Sequence, residues 1–211
     1  MNIADIRKDY SLKTLDEKEV DLDPVVQFST WWSEAIASNI DEVNAMTLAT
    51  AGLSGKPSAR IVLLKGYSGA GFTFFTNYSS KKSAELEINP QAALVFFWKE
   101  LERQIRIEGV VEKISVAENE QYFNSRPEGS RIGAWASPQS SVVKDRSELE
   151  TRVTEMQSRF AIDEITCPPF WGGFIVKPTL FEFWQGRQSR LHDRIQYNLD
   201  NALWKIARLA P

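Results

Sequence analysis

The stretch that decides the fold is Ala45–Thr76, which reads AMTLATAGLSGKPSARIVLLKGYSGAGFTFFT. It holds three short apolar runs, at residues 45–50, 59–65 and 72–76, and the segments between them are rich in glycine. Short apolar runs bounded by turn residues are typical of β-strands. The connections are too short for crossover helices, so we expect these strands to pair antiparallel.

The segments on either side add helices and further strands. Asp23 and Pro24 predict a helix start, as N-cap and first helical residue, and Phe28 and Trp31 follow at helical spacing. Further helices are predicted at 80–88 and at the capping boxes Ser115/Glu118 and Ser147/Glu150, and further strands at 92–98, 103–114, 171–176, 180–184 and 190–197. This pattern predicts one α+β domain, mainly β with helices, built on a partly open antiparallel barrel.

The composition is that of an ordinary globular protein, and it excludes several classes. Hydrophobic residues make up 43% and charged residues 25% of the chain, and the formal net charge is −3, so we expect no nucleic-acid partner. No apolar run reaches the ~18 residues of a spanning helix, and the polar start does not resemble a signal peptide. Together with a single cysteine, Cys167, these features predict a cytoplasmic protein with no membrane partner.

The chain offers few residues for catalysis by side chains alone. Its one histidine, His192, and its one cysteine are too few for an ordinary zinc or iron–sulfur site, so we expect no metal. It has no G-x-x-x-x-G-K-[ST] loop, no G-x-G-x-x-G between a strand and a helix, and no G-x-S-x-G elbow. If the protein is an enzyme, a bound cofactor is therefore expected to supply the reactive atom.

The first group of candidate site residues lies in Phe181–Arg194, which reads FEFWQGRQSRLHDR. If residues 190–195 form a strand, its period of two places Arg190, His192 and Arg194 on one face. Such a face suits phosphate or a flat heteroaromatic ring, because arginine offers both paired donors and a stacking plane. The alternative is an exposed polar strand face that binds nothing.

Two further groups contain residues suited to phosphate. Arg60 and Lys65 lie at the ends of an apolar strand, and Lys81 and Lys82 lie at a predicted helix start, where backbone N–H groups favour an anion. The alternative for this group is a set of solvated lysines on a surface turn. The third group, spaced i, i+4 and i+8 across a proline and a glycine, consists of Tyr122, Arg126 and Ser130.

Several blocks of the chain resemble one family. Residues 181–194 are similar to the signature of the pyridoxine (pyridoxamine) 5′-phosphate oxidases, the flavin enzymes that make pyridoxal phosphate. Further similar blocks follow in family order over essentially the whole chain, at residues 60–65, 101–104, 125–127, 133–135, 139–141, 170–173 and 208–211.

The resemblance implies a Greek-key-like split β-barrel that forms a homodimer with FMN at the subunit interface. It implies oxidation of pyridoxine or pyridoxamine 5′-phosphate by hydride transfer to FMN, with O₂ as final acceptor and hydrogen peroxide as product. Residues 21–211 would form a single FMN-binding domain, in which 171–211 serve dimerisation and the active site. Residues 1–20 would form a flexible lid, and a frayed terminus is the alternative.

The resemblance also implies a role for each candidate residue. The expected FMN contacts are Arg60, Ile61, Val62, Leu63, Leu64, Lys65, Phe75, Thr76, Lys81, Lys82, Gln104, Gln139, Ser140, Trp184 and Arg194. The expected substrate contacts are Arg7, Tyr10, Lys65, Tyr122, Arg126, Ser130, Arg190 and His192, of which Arg190 and His192 are the expected catalytic residues. His192 would either hydrogen-bond the substrate or take up a proton.

A few positions depart from the family pattern, and other functions stay open. Phe75 stands where many relatives have tyrosine, Lys81 stands where arginine is frequent, and residues 145–166 match no motif. One alternative is another split-barrel flavoenzyme, such as a phenazine-pathway oxidase or a flavin reductase. A second alternative is a non-catalytic carrier of flavin or pyridoxal phosphate.

Overall fold

A computed structural model of the protein describes residues 2–6 and 8–211. Within these residues the helices are α1 (Pro24–Ala37), α2 (Lys81–Ile88), α3 (Val116–Ser125), α4 (Glu128–Ala136) and α5 (Arg146–Phe160). The strands are β1 (Ala45–Ala51), β2 (Pro57–Leu63), β3 (Gly66–Ser68), β4 (Gly71–Asn77), β5 (Gln91–Trp98), β6 (Arg103–Lys113), β7 (Trp171–Gln185), β8 (Asp193–Asp200) and β9 (Leu203–Arg208).

The strands of the described residues join one antiparallel sheet that curls into a half-barrel. Its order is β2-β1-β5-β6-β7-β4-β3, and β8 and β9 extend from β7. The first half of β7 pairs with β4, and the second half pairs with β8. Because the curl brings β2 into contact with β4, the sheet forms the split barrel that the sequence predicts.

The long strand β7 replaces two predicted strands. The sequence predicts a break between residues 176 and 180, but the strand continues through Pro178. A register shift between Glu108 and Gly109 on β6 accommodates the proline, which cannot donate a ladder hydrogen bond. Gly109 allows this close approach, since a Cβ there would lie 2.1 Å from the carbonyl oxygen of Lys177.

Aromatic side chains fill the interior of the barrel and fix α1 against the sheet. The ring of Phe28 is fully buried, 4.9 Å from the ring of Phe72 and 5.4 Å from that of Phe96. Trp31 meets Phe183 edge to face at 5.2 Å. Burying each such side chain contributes roughly 1.5–3 kcal/mol, so the apolar stripe of α1 belongs to the core.

Two of the three predicted helix caps are confirmed. Asp23 caps α1, with Pro24 as first helical residue, and the capping box of Ser115 with Glu118 opens α3. The prediction for α5 is wrong, because Asp145 caps that helix through the N–H of Glu148. The Ser147 hydroxyl, the predicted cap, donates to the Asp145 carboxylate, which is the stronger acceptor. No helix in residues 2–6 and 8–211 is both long and apolar enough to cross a membrane.

Candidate active site

A cavity of about 1020 Å³ lies between β2, β4, α2 and the α3–α4 pair, and we refer to it as the basic cavity. Among the described residues that line it, none is Asp or Glu. A positively charged concave site of this size suits anionic ligands. Its cations are Arg60, Lys65, Lys81, Lys82 and Arg126, and Ile61, Val62, Leu63, Phe75, Thr76, Tyr122, Ser130, Gln139 and Ser140 line it as well.

Lys82 is a buried ammonium group with neutral partners. Its Nζ donates to Thr76 Oγ1 at 2.9 Å, to Gln139 Oε1 at 2.8 Å and to Ser80 Oγ at 3.2 Å. Burial, assisted by the charge of Arg60, lowers the pKa of Lys82 to about 8. A buried cation without a counter-charge costs free energy, which a bound anion would offset. The solvated-lysine alternative is therefore wrong for this residue.

Glu85 on α2 orients two neighbouring cations. Its carboxylate pairs with Lys81, and its Oε2 lies 3.5 Å from Nη2 of Arg60. Arg60 Nη1 also donates to Thr50 Oγ1 at 2.6 Å. Although desolvation opposes it, hydrogen bonds from Lys81 and two hydroxyl groups lower the pKa of Glu85 to about 2. Glu85 therefore stays ionised and holds both cations at the cavity wall.

Three nearly parallel aromatic rings form another wall of the basic cavity. The ring of Phe75 lies 3.9 Å from that of Tyr122 and 5.3 Å from that of Trp171, with interplanar angles of 23° and 14°. These residues come from β4, α3 and the start of β7. The stack fixes the Tyr122 ring, so its hydroxyl is carried by a rigid group.

Arg126 completes the third predicted group. Its guanidinium lies 4.7 Å above the ring of Trp171, and its Nη1 is buried without a hydrogen-bond partner among the described residues. Burial lowers the pKa of Arg126. An unsatisfied buried donor costs about 1–3 kcal/mol, which an oxyanion at this position would offset. Ser130 lines the same cavity, so α3 and α4 do converge across the Pro127 bend.

A second group of predicted residues lies outside the basic cavity. Gln104, Trp184 and Arg194 stand directly opposite one another on β6, β7 and β8. Their neighbour Phe183 faces the core, so this row faces away from the barrel interior. Nε of Arg194 donates to the buried carboxylate of Glu182 at 2.7 Å, which fixes the guanidinium on this face.

The segment that carries Arg190 and His192 is a loop. The sequence predicts that both share a strand face with Arg194, but β8 begins only at Asp193. Ser189 and Arg190 have left-handed backbone angles, with φ of 54° and 61°. The prediction of a shared face is therefore wrong. Alternation of polar and apolar residues imitates a strand here, although the backbone turns sharply.

Hydrogen bonds place this loop beside Trp184. The backbone N–H of Arg187 donates to Nδ1 of His192 at 3.1 Å, and the Arg187 guanidinium pairs with Asp193 at 2.9 Å. The imidazole lies 4.5 Å from the Trp184 ring. We call Gln104, Trp184, Arg190, His192 and Arg194 the outer-face cluster.

The N-terminal segment docks on this cluster through Tyr10. The Tyr10 ring lies 5.8 Å from Trp184 and 6.1 Å from His192. Gly186 permits the contact, since a Cβ there would lie 2.7 Å from the Tyr10 ring. Arg7, the other predicted contact of this segment, lies outside the described residues.

Glu102, the residue directly before β6, anchors the same segment. Its buried carboxylate accepts the backbone N–H groups of residues 11 and 12 at 2.8 and 3.1 Å, and it pairs with Lys8 at 3.3 Å. Its own carbonyl accepts the N–H of Gly186 at 2.7 Å. One residue thus links the N-terminal segment to the loop of His192.

The positions of a few residues could not be read from the sequence. Leu64, a predicted FMN contact, has its side chain in the hydrophobic core. Glu85, Glu102 and Glu182 hold functional candidates in place, and sequence reasoning missed all three. Only Glu85 carried a signal, because its spacing of i+4 from Lys81 predicts an ion pair on a helix.

The curled sheet defines a split-barrel protein, and its basic cavity has the charge and size that suit anionic ligands. A family model described as pyridoxamine 5′-phosphate oxidase matches residues 32–160. A second, described as the pyridoxine 5′-phosphate oxidase C-terminal dimerisation region, matches residues 171–211. The chain belongs to the pyridoxamine 5′-phosphate oxidase family, as the resemblance of its motifs implies.

Individual relatives agree with this membership. The chain is 58% identical to a pyridoxine/pyridoxamine 5′-phosphate oxidase of Nostoc punctiforme, over 99% of this chain and 98% of the relative. It is 53% identical to one of Bordetella pertussis over the full length of both chains. The structure of PhzG from Burkholderia lata 383, in complex with tetrahydrophenazine-1-carboxylic acid, superposes with a TM-score of 0.88 at 28% identity, covering 95% of this chain and 100% of that one.

Proposed function

We propose that the protein oxidises pyridoxine or pyridoxamine 5′-phosphate to pyridoxal 5′-phosphate, with FMN as cofactor, O₂ as final electron acceptor and hydrogen peroxide as product. The basic cavity carries this proposal, because it holds two separate sets of anion-binding side chains. One set surrounds Lys82, and the other surrounds Arg126. Two phosphorylated ligands can therefore be anchored side by side.

The set around Lys82 fits the phosphate of FMN. The buried ammonium of Lys82 has only neutral hydrogen-bond partners, one of which is the hydroxyl of Thr76. Thr76 and the cations Arg60 and Lys81 line the same cavity. β2 pairs only with β1 in the described sheet, so the backbone of residues 61–63 has a free edge beside the cavity for a flat heterocycle. When bound, FMN supplies a hydride acceptor that later passes two electrons to O₂.

The set around Arg126 fits the phosphate of the substrate. Arg126 offers an unpaired buried N–H, and Lys65, Tyr122 and Ser130 add one cation and two hydroxyl groups. Anchoring the phosphate at one end fixes the ring and its reacting carbon at the other. A substrate without phosphate would leave the Arg126 donor desolvated and unpaired, so these residues select the phosphorylated form.

A second copy of the chain would bring the outer-face cluster to the basic cavity. None of the cluster residues lines that cavity, and Trp184 lies at the opposite end of β7 from Trp171, at most about 40 Å away at ~3.3 Å per residue. The outer face also exposes the apolar side chain of Phe97, which stands opposite Gln104 and is 53% exposed. Residues 171–211 match the dimerisation region of the family, so we propose a homodimer with FMN at its interface.

Turnover of the FMN-loaded protein tests the activity. With O₂ present, we expect pyridoxal 5′-phosphate and hydrogen peroxide to form in equal amounts from pyridoxamine 5′-phosphate. Pyridoxamine without phosphate should react far more slowly. Stoichiometric binding of both compounds without peroxide would instead identify a carrier and refute the proposed reaction.

Mixed dimers test the shared site. Arg126→Ala removes a cavity residue and Arg190→Ala a cluster residue, so at substrate concentrations well below KM each homodimer should be impaired in both sites. In a mixed dimer, one of the two sites combines the intact cavity of one chain with the intact outer-face cluster of the other. Random mixing should restore about a quarter of wild-type activity, because half of the dimers are mixed and each has one intact site of two. No recovery on mixing would show that each chain builds its own site.

A further inference from the structure

The lone histidine of the chain is held by a contact that decides where its proton lies. Nδ1 of His192 accepts the backbone N–H of Arg187 at 3.1 Å. A ring nitrogen that accepts a hydrogen bond carries no proton, so a neutral imidazole in this loop must carry its proton on Nε2. No described residue accepts a hydrogen bond from Nε2, which leaves that N–H free for a ligand.

The surroundings keep this arrangement rigid and the ring neutral. Protonation of Nδ1 would break the contact with Arg187 and place two donors face to face. Burial, followed by the charge of Arg190, lowers the pKa of His192, while Asp193 acts in the opposite direction. The charged groups that act on the ring are Arg190 and the carboxylate of Asp193, which pairs with the guanidinium groups of Arg187 and Arg208. The rings of Tyr10 and Trp184 also lie beside the imidazole.

We propose that His192 is a fixed hydrogen-bond donor, which gives its Nε2–H to an oxygen acceptor of the substrate and does not take up a proton during the reaction. Arg187 is then a positioning residue, since its backbone N–H selects the tautomer. The tautomer itself is a property of this chain, whereas the acceptor rests on the proposed function.

The proton balance follows from the two ring nitrogens. Oxidation of a primary alcohol to an aldehyde removes a hydride from carbon and a proton from oxygen. Nδ1 is engaged by Arg187 and Nε2 already carries a proton, so neither nitrogen can accept this proton. It leaves to solvent water, and His192 stays in one protonation state throughout.

Nuclear magnetic resonance of the FMN-loaded protein, labelled with ¹⁵N in histidine, tests the tautomer. The chain has one histidine, so the two ring nitrogens give two assignable signals. At pH 7 we expect a pyridine-type shift for Nδ1 and a pyrrole-type shift for Nε2, unchanged when pyridoxal 5′-phosphate is added. Averaged shifts, a proton on Nδ1, or protons on both nitrogens would each overturn the proposal.

Two substitutions test the donor role. The amide of His192→Gln reaches the position of Nε2, whereas that of His192→Asn reaches only the position of Nδ1. Loss of one neutral hydrogen bond lowers kcat/KM by up to about tenfold, so we expect a loss of this size for Asn and a smaller loss for Gln, which keeps a donor at the position of Nε2. An equal loss of about 10²–10⁴-fold in both variants would indicate a proton acceptor and refute the donor role. Absence of turnover in the wild type would refute the proposed function, while the resonance shifts would still decide the tautomer.

Discussion

Replacement of Lys82 by methionine should stabilise the protein without FMN and weaken its binding of FMN. Burial lowers the pKa of Lys82 from 10.5 to about 8, so the folded protein disfavours the charged form by about 3 kcal/mol at 1.36 kcal/mol per pH unit. Methionine has a similar length and carries no charge. The substitution therefore removes this penalty in the apoprotein.

The hydrogen-bond partners of Lys82 limit the cost of the change. Thr76 still donates to Gln139 at 3.0 Å, and Ser80 keeps its contact with Ser83 at 3.1 Å. Few buried polar atoms are thus left unsatisfied, and we expect a net gain of about 1–3 kcal/mol. FMN would lose a charge-assisted hydrogen bond of about 1.5–3 kcal/mol, so its Kd should rise about 10- to 150-fold.

Urea unfolding of the apoproteins, at one protein concentration and several pH values, measures the stability. Between pH 8 and 10.5 the folded wild type binds fewer protons than the unfolded chain, so its stability rises with pH in this window. The advantage of Lys82→Met should therefore be greatest at pH 7 and vanish above about pH 10.5. Flavin fluorescence gives the Kd of FMN.

The neighbouring Lys81→Met is the matched control. Lys81 is exposed and pairs with Glu85, so its loss should change the stability by less than about 1 kcal/mol at any pH. A Lys82→Met apoprotein less stable than the wild type at pH 7 would refute the reasoning, and so would an unchanged affinity for FMN.

Three further substitutions test other parts of the site. Arg126→Ala should raise KM for the phosphorylated substrate by about 10- to 100-fold with little change in kcat, because it removes binding made in both ground and transition states. Steady-state kinetics measure both constants, and an unchanged KM would contradict the prediction. Arg190→Ala should lower kcat/KM at least tenfold while the protein stays yellow, and unchanged turnover would remove this residue from the site. Glu102→Gln should release the N-terminal segment, so limited proteolysis should cleave near residue 10 faster than in the control Glu100→Gln, which changes an exposed carboxylate. Equal cleavage rates would contradict the anchoring role.

The fold could be predicted from the sequence where local pattern and tertiary structure agree. The runs within residues 45–76 form β1, β2 and β4, and the caps at Asp23 and Ser115 open the helices expected of them. The strand β9 and the loop before β8 could not be predicted. The loop depends on left-handed angles at Ser189 and Arg190, which non-glycine residues adopt only where surrounding contacts hold them.

The sequence predicts which residues belong to the candidate site, but it does not predict how they are arranged. The family motifs indicate that Lys82 and Arg126 bind anions, but only tertiary packing makes the ammonium buried and leaves Nη1 of Arg126 without a partner. The anchoring of the N-terminal segment by Glu102 joins residues about 90 positions apart in sequence, so no local pattern indicates it. Likewise, only the register of the sheet shows that the outer-face cluster lies outside the cavity.

The most direct test of the account is the visible spectrum of the FMN-loaded protein without oxygen. Adding pyridoxamine 5′-phosphate should bleach the flavin band, form one equivalent of aldehyde per bleached flavin, and restore the band when air is admitted. A band that stays oxidised while the phosphate ester is demonstrably bound would contradict the claim that this cavity holds both molecules for hydride transfer.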